Sequence, residues 1–122
     1  MKNAIILNFV LVVLCSLWSC EEDTAASPQQ EINVELQNNE EYVYDFGFSG
    51  DEEGAKIIIQ AQHFENSKVY RDTTDNWKVK YKYQPESNFI GDDFVEFEIC
   101  TGGMGARCSN ITTTRINFTF TD

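Results

Sequence analysis

From residue 31 onward, apolar and polar positions alternate with a period of two, and no segment carries a convincing helical stripe. "EINVEL" sets Ile32, Val34 and Leu36 on one face, and "EYVYDF" does the same for Tyr42, Tyr44 and Phe46, leaving Val43 and Asp45 opposite. "FSGDEEG" predicts a loop, with Gly47, Gly50 and Gly54 punctuating it. "AKIIIQAQ" is a continuous apolar run, short enough for a strand buried on both faces. "SKVYR" predicts a short strand and "DTTDN", residues 72–76, a polar turn. The clearest pattern is "WKVKYKY": Trp77, Val79, Tyr81 and Tyr83 share one expected core face, and Lys78, Lys80 and Lys82 share the other. Pro85 ends that strand, because proline cannot donate to a ladder. "QPESNFIGDD" predicts a loop, and "FVEFEIC" a strand with Val95, Phe97 and Ile99 inward. "RINFTF" closes the domain with Ile116, Phe118 and Phe120. About seven short strands separated by turn residues predict an all-β chain folded as an antiparallel β-sandwich over residues 31–122.

The first 19 residues break this pattern. Lys2 is the only charge before Glu21, and the apolar stretch between them is too short and too abruptly ended for a comfortable membrane span. An ordinary secretory signal fits that description. "LWSC", residues 17–20, further resembles the lipobox of bacterial lipoproteins: an aliphatic residue, a tolerant position, a small residue and the cysteine. Trp18 departs from the usual small or β-branched second residue. The resemblance implies a signal peptide over 1–19 and Cys20 as the first mature residue, carrying a diacylglycerol thioether and commonly an N-acyl chain. Two acyl chains suffice for stable anchoring, so the attachment to the membrane is expected through lipid rather than a helix.

Cleavage there would remove only Lys2 among the charges, taking the formal net charge from −11 to −12. That balance disfavours nucleic acid, whose phosphates it repels. "EED" follows Cys20 at once, and "EEDTAASPQQE" is small, polar and interrupted by Pro28, so residues 20–30 are expected to form a flexible tether. An acidic cluster just after the lipidated cysteine also resembles the surface-export signal of Bacteroidetes lipoproteins. It implies a cell-envelope protein lipid-anchored to the outer membrane, surface-exposed or periplasm-facing.

Cys100 and Cys108 flank the glycine-rich "TGGMGAR". In an exported chain two neighbouring cysteines first suggest a disulfide, while a zinc or redox site would want further ligands nearby and free thiols remain a third outcome. Cys100 is out of phase with Val95, Phe97 and Ile99, so its sulfur is expected to point away from the core.

Residues 81–108, "YKYQPESNFIGDDFVEFEICTGGMGARC", resemble the bacterial cadherin-like and immunoglobulin-like repeats of adhesins and surface proteins. Tyr83, Pro85, Phe89, Gly91 and Asp93 fall at the places of that pattern, followed by the alternating Val95, Phe97 and Ile99. Bacteroidetes versions often flank the last hairpin with a cysteine pair, which Cys100 and Cys108 match. The resemblance implies a single cadherin-like or immunoglobulin-like domain; such a fold hosts many functions, and with no catalytic set visible the expectation is that it is not an enzyme and serves as an adhesion or protein-binding module.

Residues that carry chemistry are few. His63 is the only histidine, and no "GxSxG" elbow is present, so a small envelope enzyme or inhibitor ranks last among the readings. Glu96 and Glu98 share one strand face and are expected to be exposed, solubilising groups. Lys78, Lys80 and Lys82 form a basic comb: paired with those glutamates if the strands are neighbours, otherwise guarding an edge or facing an anionic partner. No cofactor is expected. Calcium is a weaker expectation, with Asp51, Glu52, Asp92 and Asp93 the oxygen ligands to examine. A glycan ligand would stack on exposed aromatics among Trp77, Tyr70, Tyr42 and Tyr44, the alternative function being an accessory lipoprotein in polysaccharide capture. "DTA" and "DTT" resemble the O-glycosylation acceptor of Bacteroidetes exported proteins.

Overall fold

The computed structural model describes residues 29–103 and 108–122. The expected signal segment, Cys20 and the acidic run after it lie outside the described residues. Seven strands form two packed sheets: β1 (Gln30–Gln37), β2 (Tyr42–Ser49), β3 (Gly54–Ile59), β4 (Phe64–Asp72), β5 (Lys78–Pro85), β6 (Gly91–Thr101) and β7 (Asn110–Thr121). One sheet has the order β1-β7-β6-β3 and the other β2-β5-β4. Among the described residues there is no helix, and so none long and apolar enough to cross a membrane.

The alternating faces fall as the period of two requires. Ile32, Val34 and Leu36 of β1 turn inward, as do Tyr42, Tyr44 and Phe46 of β2. Along β5 every second residue, Val79, Tyr81, Tyr83 and Pro85, is buried. They meet Val95 and Phe97 of β6 and Ile116, Phe118 and Phe120 of β7. Aromatic rings fill the gap between the sheets: Tyr83 stacks on Phe118 at 4.4 Å, and Tyr81 meets Phe97 edge-on at 4.7 Å. Their hydroxyls, carried into the core, need partners. The Tyr81 hydroxyl pairs with Ser67 Oγ at 2.7 Å, and Ser67 Oγ reaches Gln60 Oε1 at 2.6 Å.

Three expectations change. The sandwich is not wholly antiparallel, because β1 runs parallel to β7, with Gln30 opposite Thr114 and Gln37 opposite Thr121. Strands that alternate up and down leave the first and seventh pointing the same way, so joining them gives a parallel pair. Second, β3 is an edge strand and is not buried on both faces; Ile57 packs on the core, but Ile58 and Ile59 are 43% and 42% exposed. A two-layer sandwich covers one face of each sheet only, and a register shift between Ile57 and Ile59 turns both later isoleucines outward. Third, β2 runs on to Ser49, through part of the expected loop. Gly47 sits in a bulge there at φ 82°, its N–H donating to Asp45 Oδ1 at 2.8 Å. The first strand begins at Gln30, and Gln29 N already donates to Thr113 O.

Candidate functional site

Alternating strands gather the loops at two poles. One pole holds the β2–β3 loop, the β4–β5 turn, the Cys100–Cys108 hairpin and the start of β1. The other holds the turns at residues 38–41, 60–63 and 86–90 and the end of β7.

At the first pole, the lysine comb has a purpose that its spacing did not disclose. β5 is the central strand of its sheet, so the comb guards no edge, and β6 lies in the other sheet, so Glu96 and Glu98 are not its partners. Acids on β2, β4 and the β4–β5 turn take that place for Lys78 and Lys80, and Glu41, in the turn before β2, takes it for Lys82. Lys80 Nζ lies 2.9 Å from Asp72 Oδ2 and 2.7 Å from Asp75 Oδ2. Lys78 lies 3.4 Å from both Asp45 and Asp75, and Lys82 is 2.7 Å from Glu41. Thr74 adds its N–H and hydroxyl to Asp72 Oδ1. These bonds, Thr74 first and Lys80 second, hold the Asp72 carboxyl down to about 2. Donating hydrogen bonds to Asp75 and Asp72 raises the Lys80 ammonium above its ordinary range. The comb is thus mostly a set of braces on one turn.

That turn carries Trp77. Its place in the alternating pattern predicts a core residue, yet the side chain is 58% exposed. Asn76 and Trp77 both adopt left-handed backbone, φ 51° and 58°, which breaks the period just before β5 begins. Opposite the indole, Arg71 ties down the β2–β3 loop by donating to Gly50 O at 2.5 Å and Glu53 O at 2.8 Å. Between the turn and the loop opens a concavity of about 530 Å³ lined by Ser49, Gly50, Asp51, Asn76 and Trp77. A second, of about 390 Å³, shares Ser49, Gly50 and Asp51 and continues past Glu52 and Glu53 to Gly102 and Gly103.

Elsewhere the polar groups are taken up by the fold. Glu96 is on the outer face as expected but only 8% exposed, so it does not serve as a solubilising group. It accepts from Arg115 on β7, whose guanidinium also lies 4.2 Å over the Phe94 ring. Asp93 is buried, and its carboxylate accepts the N–H groups of Gln62, His63 and Phe94 and stands 2.8 Å from the Tyr83 hydroxyl. Asp92 accepts from Thr119 at 2.9 Å. Asp51 and Glu52 lie at the opposite pole, so the four oxygen donors named for calcium are not brought together. Among the described residues no group of three metal-ligating side chains forms. A concavity of about 420 Å³ beside Asp92 and Phe94 includes Asn117, which is bonded to Asn33.

His63 stacks on Phe89 at 4.3 Å, with Nδ1 3.6 Å from Glu86. Cys100 and Cys108 form a disulfide with a Cα separation of 5.5 Å. Tyr42 and Tyr44 pack against the core, and Tyr70 lies on the outer face with Lys68 and Lys82 around a hollow of about 230 Å³. Lys68 escaped the sequence reading; it sits opposite Lys82 and has no carboxylate partner among the described residues. Thr73 of "DTT" is exposed in the turn, while "DTA" falls outside the described residues. No family model, curated protein or solved structure matches the chain.

Proposed function

We propose that this chain is a non-catalytic recognition module of a bacterial cell envelope, of the adhesion or protein-binding kind, held to the outer membrane by lipid on Cys20. Its binding surface is the loop pole around Trp77. The observation that carries this reading is the pairing of an exposed indole with loops fixed from behind. Lys78, Lys80 and Arg71 spend their charge on holding the turn and the β2–β3 loop in place. Tryptophan is among the side chains enriched at the energetic centres of recognition surfaces. The anchor rests on "LWSC" and the acids after it, nine residues before Gln29. Nine extended residues span at most about 30 Å, so the domain would work close to the bilayer.

The anchor is tested by metabolic palmitate labelling in a bacterial host. The wild-type chain should take up label in the membrane fraction, and Cys20→Ala should not. Label retained by Cys20→Ala, or a mature chain whose Cys20 is unmodified by mass spectrometry, would refute the lipid attachment.

A further inference from the structure

We propose that the Trp77 pole binds a neutral glycan, with a pyranose ring stacked on the indole and its hydroxyls bonded to Ser49, Asp51 and Asn76. This rests on the reading of that pole as the binding surface, and names the ligand class.

The backbone argues first. Left-handed conformation suits asparagine at position 76, but at position 77 it disfavours any residue except glycine, by about 1 kcal/mol. The local chemistry asks for Asn-Gly here, and solvent asks for a small polar side chain. The chain carries its largest side chain instead, and leaves more than half of it, 58%, exposed to solvent. Strain and exposure at one residue point to a contact made outside the chain.

The surroundings fit a sugar better than the rivals. The lining supplies a hydroxyl from Ser49, an amide from Asn76 and a carboxylate from Asp51, donors and acceptors side by side. A sugar hydroxyl both donates and accepts, so it uses such a mixed rim fully. A quaternary or protonated amine would ask for several aromatic walls, and among the described residues Trp77 is the one aromatic lining this hollow. Uronates, sulfated sugars and anionic lipid surfaces meet Asp51, Glu52 and Glu53 along the same trough. Because both loops are already tied down, little ordering cost remains on binding.

The sequence offers a direct probe, since its two tryptophans are Trp18 and Trp77. In a full-length Trp18→Phe protein, kept in a detergent without a sugar head group, all tryptophan emission comes from Trp77. Titration with neutral oligosaccharide series (gluco-, xylo-, manno- and chito-oligomers) should shift that emission for at least one series. Calorimetry with the same series should show a loss of about tenfold or more in Trp77→Gly, and a smaller loss in Asp51→Ala. Trp77→Gly is the informative variant, because glycine relieves the left-handed backbone; its thermal midpoint should hold or rise while affinity falls. Tyr70→Ala, on the outer face of the sheet, should bind as the parent does.

Silence toward every neutral series, unchanged affinity in Trp77→Gly, or equal binding of polyuronates would overturn the proposal. So would an emission shift on phosphatidylcholine vesicles or choline without one on saccharides, which would make the indole a membrane or amine contact. Palmitate labelling reads the anchor separately. A labelled chain that ignores all saccharides loses the glycan and keeps the anchored module, whereas an unlabelled chain that binds them does the reverse.

Discussion

Burying a carboxylate without a cation beside it is costly, and Asp93 meets that cost with backbone and hydroxyl donors instead. Three N–H groups from two segments converge on it, with the Tyr83 hydroxyl 2.8 Å away, so it joins the β3–β4 connection to β5 and β6. Replacing it by alanine should cost roughly 3 kcal/mol or more, since three part-buried N–H groups and the buried Tyr83 hydroxyl lose their acceptor together. Asparagine keeps one oxygen and should cost less, and Tyr83→Phe about 1 kcal/mol. Urea unfolding midpoints check the order; an Asp93→Ala protein as stable as the parent would contradict this role. The disulfide is a second residue-scale test. Closing a nine-residue segment should stabilise by about 2.5 kcal/mol in the loop-entropy model. For a domain of this size the Cys100→Ser, Cys108→Ser double variant should therefore melt roughly 10 °C lower or more. An unchanged midpoint would mean that the bridge adds nothing to stability. At this scale much was legible: the period of two assigned the apolar residues that face the core from β1, β2, β5 and β6. It failed at Trp77, because alternation assumes extended backbone and two left-handed residues sit just before the strand.

At the scale of elements, the β4–β5 turn behaves as one electrostatic unit. Asp72 is held at about 2, below its ordinary 3.8, by Thr74 and then Lys80, and Asp75 is lowered chiefly by its bond to Lys80. Asp45 is lowered as well, first by the Gly47 N–H and then by Lys78. A carboxyl lowered in the fold stabilises it above the unfolded value, and that contribution disappears as pH falls through the folded one. The turn should therefore loosen between pH 3.8 and about 2, and Trp77 emission in the Trp18→Phe protein reports it. Lys80→Met should move the transition to higher pH. A flat signal across that window would disprove the bracing. What the sequence left out here is register. The spacing of Lys78, Lys80 and Lys82 marks a shared face, but only the order β2-β5-β4 decides that Asp45 and Asp72 flank it rather than Glu96 and Glu98. Arg71 and Arg115 went unremarked for the same reason, since their partners lie 18 to 21 and 19 residues away. "AKIIIQAQ" misled because apolar runs record composition and not neighbours, and β3 has a neighbour on one side only.

Across the whole molecule, seven alternating strands bring β1 beside β7 at the rim of the larger sheet, both leaving from the pole that carries Trp77. The eight residues of β1 are matched one for one with β7, from Gln30 opposite Thr114 to Gln37 opposite Thr121. A lipid attachment upstream of Gln29 would pass a pull from the bilayer into this ladder first, backed by Ile32, Val34 and Leu36 packed on the core. A pull along the strand axis then loads the whole row of hydrogen bonds in shear, so they must fail together instead of unzipping singly. Rupture under load follows the unfolding rate rather than equilibrium stability. Under such an attachment, the load the domain bears would be set by the direction in which its first strand is seated and not by its equilibrium stability alone.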